Sequence, residues 1–163
     1  NGEEIVLGIE REPEFIFVYD DVVYGVFIAK EVIHLRAVHP WQKDVILAKS
    51  VDGKAQFYYD LDTCHLFVLH DDGTYPFGGA SLLDFDVKAG VIHKTYRLPG
   101  LFFFSATNPV MVAVSGGHLF ILISWFEHLE LFHRHLEVSQ DLTLIWSTYD
   151  VIQGSLNYLL TVV

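Results

Sequence analysis

Phe15-Ile16-Phe17-Val18-Tyr19-Asp20-Asp21 returns 51 positions later as Leu66-Phe67-Val68-Leu69-His70-Asp71-Asp72. Both times an apolar run ends in an acidic pair, the pattern of a buried strand delivered into a turn. A second echo keeps the same order: Val32-Ile33-His34 with Pro40 six residues on, then Val91-Ile92-His93 with Pro99 six residues on. A third links His65-Leu66-Phe67-Val68-Leu69 to His118-Leu119-Phe120-Ile121-Leu122 at an offset of 53. Offsets of 51, 59 and 53 bracket a period of about 50 residues. The expectation is one β-rich domain over residues 1–163, with three repeat units at approximately 4–50, 51–100 and 101–163.

Around these echoes the chain reads as short strands separated by turn residues. Strands are expected at Ile5–Leu7, Phe15–Tyr19, Val23–Ala29, Val32–Val38, Val45–Lys49, Gln56–Asp60 and His65–His70. Further strands are expected at Leu82–Val87, Val91–Leu98, Leu101–Ser105, Val110–Ser115, Leu119–Ser124, Leu142–Tyr149 and Leu156–Val162. β-Branched and aromatic residues dominate them, and turn signals recur every eight to twelve residues or so. One segment reads differently. Ser124-Trp125-Phe126-Glu127 matches a capping box, and Trp125, Leu129, Phe132 and Leu136 then form a helical stripe. Glu127, Glu130, Arg134 and Glu137 line the opposite side, so residues 125–138 carry a possible single helix.

Three features invite a family comparison. They are the glycine pairs Gly78-Gly79 and Gly116-Gly117, the run Leu82-Leu83-Asp84-Phe85-Asp86 leading through a turn and strand to Leu98-Pro99, and the late Trp146. On these the chain resembles the kelch and F-box-associated class of β-propellers over residues 14–150. The resemblance implies antiparallel meander blades and a recognition domain in a larger assembly. About 50 residues per blade gives three blades, whereas closed propellers have about four to eight. Open edges would then need another chain or further sequence to cover them. A β-trefoil or barrel is the second architecture, and a sandwich with a packed helix the third.

Composition narrows the function classes. The chain has 163 residues, 52% hydrophobic and 15% aromatic, with a formal charge of -11. Such a charge, with ten scattered Lys and Arg, argues against nucleic acid and against anionic membrane surfaces. Residues 98–126 carry no Asp, Glu, Lys or Arg, but Pro99-Gly100, Asn108-Pro109 and Gly116-Gly117 divide them into strand-length pieces. Buried strands are therefore expected there in place of a membrane span. Cys64 is the single cysteine, so no internal disulfide forms. Asn1-Gly2-Glu3-Glu4 lacks the basic start and apolar run of a signal peptide, and a cytoplasmic location is the expectation.

Several side-chain groups have the residue types that chemistry needs. Asp84 and Asp86 share a strand face and could chelate a hard cation or act as an acid–base pair. Turn capping and solvation explain such acids more simply. On a helix His128 and His135 would share a flank while His133 diverges; on a strand His133 and His135 would share a face without a third converging donor for zinc. Cys64 and His65 point to opposite faces of a strand and cannot pair as nucleophile and base. Nucleophile elbows, phosphate loops and dinucleotide fingerprints are absent from the sequence.

No catalytic residue, metal ligand or cofactor is therefore assigned. Binding residues are expected in loops 39–44 and 71–80, at Trp41, Asp71, Asp72 and Tyr75. The functional expectation is a non-enzymatic protein–protein recognition module, oligomeric or part of a larger assembly. The alternative is a small-ligand or carbohydrate-binding barrel or trefoil, or a hydrolase using an Asp pair.

Overall fold

The structure, a computed structural model, describes residues 11–39, 44–50, 53–73, 80–98, 110–125 and 128–148. Among these, twelve strands form three antiparallel four-stranded meanders. Sheet I comprises β1 (Phe15–Tyr19), β2 (Val22–Ala29), β3 (Val32–His39) and β4 (Val45–Lys49). Sheet II comprises β5 (Ala55–Asp60), β6 (His65–Asp71), β7 (Ala80–Asp86) and β8 (Val91–Leu98). Sheet III comprises β9 (Val110–Ser115), β10 (His118–Trp125), β11 (His128–His135) and β12 (Thr143–Ser147). Within each sheet, strands pair in chain order. Among the described residues no strand pairs across two sheets, whereas a single barrel closes by such pairing.

Four expected strands, Phe15–Tyr19, Val45–Lys49, Val91–Leu98 and Val110–Ser115, coincide with observed ones. Others shift by one or two residues at an end. Ile5–Leu7, Leu101–Ser105 and Leu156–Val162 lie outside the described residues. No helix of the described residues is long and apolar enough to cross a membrane.

Tight turns set the meanders. Asp20-Asp21 (φ 49° and 59°) and Lys30-Glu31 (φ 48° and 68°) are two-residue hairpin turns with both residues left-handed. That geometry matches the right-handed twist of paired strands. Asp tolerates it; Lys and Glu adopt it at a cost, because their Cβ crowds the backbone.

The sheets stack face to face, and the alternation of side chains decides which face meets which neighbour. In β6, Leu66 and Val68 join Phe17, Val26, Ile33 and Leu35 of sheet I in one core. Phe67 and Leu69 point the other way, into a second core with Leu119, Ile121 and Ile123 of sheet III. Sheet II is therefore buried on both faces, and β6 and β7 carry near-continuous apolar runs for that reason.

The helix expected over 125–138 is not formed. Residues His128–His135 are β11, paired with β10 from Trp125↔His128 to His118↔His135. A two-residue period replaces the helical one, so Phe132, Arg134 and Leu136 share the face turned to sheet II. Arg134, expected on a solvated helical flank, is 1% exposed.

The echoes map unevenly onto this fold. His65–Leu69 and His118–Leu122 both open the second strand of their sheets. Phe15–Tyr19, by contrast, is a first strand, and its echo at 66–70 lies in a second strand. Val32 opens a third strand and Val91 a fourth. Sheets repeat in the structure, but only the 53-residue offset superposes equivalent positions.

Candidate functional site

Four polar side chains are buried together between sheets II and III. Asp84, in the middle of β7, is 0% exposed. Its Oδ1 lies 2.5 Å from His65 Nδ1, and its Oδ2 accepts from Arg134 Nη1 at 2.6 Å. Arg134 Nη1 also reaches the Tyr96 hydroxyl at 2.6 Å, and its Nε donates to the Ser139 carbonyl at 2.5 Å. The Tyr96 hydroxyl in turn donates to the Gln140 carbonyl at 2.7 Å. A carboxylate taken out of water needs such compensation, and Arg134 supplies it across the sheet boundary.

Burial disfavours a proton on His65, but the hydrogen bond to Asp84 and its charge, helped by Asp86, outweigh burial and the opposing charge of Arg134. The net effect holds the imidazole above its ordinary value. Burial is the first cause that pushes the Tyr96 phenol up to about 12. Among the described residues His65 hydrogen-bonds to Asp84 alone, and Cys64 Sγ lies 3.9 Å from the Leu61 carbonyl. The arrangement fixes two sheets against each other.

A second feature lies where the first turns of the three sheets come together. Phe17 of β1 stacks on Tyr59 of β5 at 4.5 Å between ring centroids, which sets the β1–β2 turn beside the β5–β6 turn. Asp60 Oδ2 then accepts from Gly117 N at 3.0 Å and from Thr63 Oγ1 at 2.6 Å, tying the β5–β6 turn to the β9–β10 turn. Gly117 sits at φ 78°, in the left-handed region where a side chain strains the backbone, which favours glycine at this turn. Asp20, Asp21 and Asp62 are exposed at this end, and Leu61 is 79% exposed.

A third feature is a cavity of about 450 Å³ between β8 and sheet III. Leu98, Ile123, Phe132 and Leu142 give it apolar walls, and Lys94 and Arg97 contribute cations. Lys94 Nζ is engaged by the Gln140 carbonyl at 2.9 Å and by Asp141 Oδ1 at 3.0 Å.

The residues expected to bind are placed differently from one another. Trp41 and Tyr75 lie outside the described residues. Asp71 Oδ1 accepts from Gly73 N at 2.8 Å, and Asp72 Oδ2 accepts from Ser81 Oγ and stands 4.0 Å from Arg97 Nε. Asp71 thus holds the residues just after β6, and Asp72 ties the end of β6 to β7. Asp84 and Asp86 have different partners: Asp84 bonds His65 and Arg134, whereas Asp86 Oδ1 caps the next turn through Ala89 N at 2.9 Å.

His133 and His135 share the outer face of sheet III with His118. His118 Nδ1 is 3.0 Å from His133 Nε2, and its ring stacks on His135 at 4.6 Å. Burial first, then the neighbouring imidazoles, hold His133 below its ordinary value. Among the described residues no group of three or more His, Cys, Asp or Glu is set to hold a metal ion. Sequence reasoning missed Arg134, His65 and Tyr96 as a unit; the available signal was Arg134 alternating with Phe132 and Leu136.

No protein-family model, no curated protein and no solved structure matches this chain.

Proposed function

We propose that this chain is a protein-recognition module built from kelch-like β-sheet repeats, docking through the end where the three first turns converge. The observation that carries this reading is Leu61. It is 79% exposed, yet its turn is anchored by the buried Asp60, by Cys64 N on the Asp60 carbonyl at 2.9 Å, and by Gly117. A rigidly presented apolar side chain loses little freedom on binding, which suits an interface anchor. Asp20, Asp21 and Asp62 around it, on a chain of net charge -11, favour a basic segment with an apolar residue as partner. The buried ionisable groups favour recognition over catalysis, because they are consumed in joining sheets. A cytoplasmic setting accompanies this reading, with Cys64 as a free thiol.

The test is affinity capture with the immobilised chain, repeated with Leu61→Ser, Asp62→Lys, and the loop variants Trp41→Ala and Tyr75→Ala. Loss of the same partner from the Leu61 and Asp62 variants is expected. Capture unchanged by all four substitutions refutes the proposal.

The cavity between β8 and sheet III favours a second reading, a small organic ligand with an anionic group held near Lys94 and Arg97. A library thermal-shift screen with wild-type chain and Phe132→Trp, which fills the space, decides it: hits lost in the variant support a ligand, and no hits refute one.

A further inference from the structure

Sheet II packs on sheet I, and sheet III packs on the opposite face of sheet II. The face of sheet II that receives sheet III carries His65, Phe67 and Leu69, the last two at 0% and 1% exposure. Pairing registers place His118, Phe120 and Leu122 at the equivalent positions of β10, since Leu66 faces Tyr59 as Leu119 faces Val114. These residues lie on the outer face of sheet III. There Phe120 is 38% exposed and Met111, beside Leu122 in the register, is 52% exposed. Sheet III thus ends the stack with the β6 part of the receiving pattern repeated on β10, with His133 opposite Phe120 where Asp84 stands opposite Phe67, and among the described residues nothing is seated on it.

The opposite end of the stack shows the complementary pattern. The surface that sheet III brings to sheet II includes Val112 and Val114 of its first strand, both packed on the shared core. Val18 faces Val23 in sheet I as Val114 faces Leu119 in sheet III, so Ile16 and Val18 are the equivalents of Val112 and Val114. Ile16 is 49% and Val18 55% exposed, and Ile46 of β4, also in sheet I, is 64% exposed. The neighbouring Phe27 is already covered, by the Arg36 guanidinium 5.4 Å above its ring. One end therefore repeats the first-strand part of the delivering surface and the other the second-strand part of the receiving surface. A head-to-tail contact of this kind either closes into a ring or continues as a filament.

We propose that the open face of sheet III of one copy seats the open face of sheet I of a second copy, reciprocally, closing a two-chain ring of six sheets. Six lies within the range of about four to eight at which radially stacked four-stranded sheets close. The occupant is a second copy because Ile16 and Val18 of its first strand hold the positions that Val112 and Val114 hold on the surface sheet II accepts. This inference rests on the stacking of the sheets and is independent of what the converging turns bind.

The test is mass by light scattering of the purified full chain at micromolar concentration, with two variants. Ile16→Lys with Val18→Lys disables the delivering face, and Phe120→Lys with Met111→Lys disables the receiving face; all four positions are exposed. Far-UV circular dichroism and urea unfolding check that each variant folds. The expected wild-type mass is twice 18.6 kDa, with each folded variant monomeric. Mixing the two variants should restore a two-chain species, because one intact delivering face then meets one intact receiving face. A monomeric wild type, a ring of more than two chains, or a dimer that survives in either folded variant overturns the proposal. A mixture that stays monomeric overturns it too.

Discussion

Replacing Arg134 with Met should be among the most damaging single changes in this molecule. Both side chains of the Arg134–Asp84 pair are 0% exposed, so solvent does not soften the loss. Removing the guanidinium leaves Asp84 with His65 as its remaining partner and frees the Tyr96 hydroxyl and Ser139 carbonyl of a donor. Breaking a buried pair on one side costs about 3–5 kcal/mol. Against a total stability of about 5–15 kcal/mol, that is a large fraction. Urea unfolding followed by tryptophan fluorescence measures it, with the slope m checked for constancy. Replacing the unit as a whole, His65→Leu with Asp84→Leu and Arg134→Met, should recover most of the loss, since no unpaired charge remains buried. A cost below about 1 kcal/mol for Arg134→Met, or a triple variant no more stable than the single one, refutes the reasoning. The pH dependence supplies a second check. His65 is raised in the folded state, so its contribution is fully present below about pH 6.5 and is lost as pH rises through its folded value. The stability gap between wild type and His65→Gln should therefore narrow as the buffer becomes alkaline.

Other outcomes follow from the turns, the close packing and the histidine cluster. Lys30→Asn with Glu31→Gly should raise the melting temperature, relieving a left-handed turn by about 1–2 kcal/mol; an unchanged Tm contradicts the strain. Gly25→Ala should destabilise by about 1–3 kcal/mol in chemical denaturation, because its Cβ would stand 2.8 Å from the Phe27 ring. His133 is lowered by burial and by its neighbours, so stability is lost as pH falls below about 6.5. His133→Phe should flatten that acid-side fall, and a fall unchanged in this variant assigns it elsewhere.

Strands were legible because their residues satisfy local rules: β-branched and aromatic runs such as Val110–Ser115 end in a glycine pair that only a turn accommodates. The segment at 125–138 misled because Trp125, Leu129, Phe132 and Leu136 also fit a helical stripe, and pairing of β11 with β10 and β12 overrides that local preference. The 51-residue echo misaligned first and second strands because an apolar run ending in Asp is a generic strand exit. The 53-residue echo did better, since it includes a histidine at the strand start. Of the joint between sheets II and III, only the alternation of Arg134 with Phe132 and Leu136 was legible. Asp84 and Arg134 are 50 residues apart, and no local pattern announces a partner at that distance. Of the binding positions, Asp71 and Asp72 were visible as acids; Asp71 is engaged locally by Gly73 two residues on, whereas the engagement of Asp72 by Ser81 depends on β7 folding back beside β6.

The double-sided burial of sheet II has a consequence for the chain as it leaves the ribosome. Synthesis delivers one complete meander at a time, each closed by neighbours in sequence, so hairpins can form as soon as they emerge. When Leu98 has appeared and Val110 has not, Phe67, Leu69 and Leu82 have no cover, although sheet I already shields the reverse side. Every newly finished meander thus creates the hydrophobic landing pad for its successor. The nascent polypeptide is most prone to aggregation, and most in need of a chaperone, during the pause between one layer and the next.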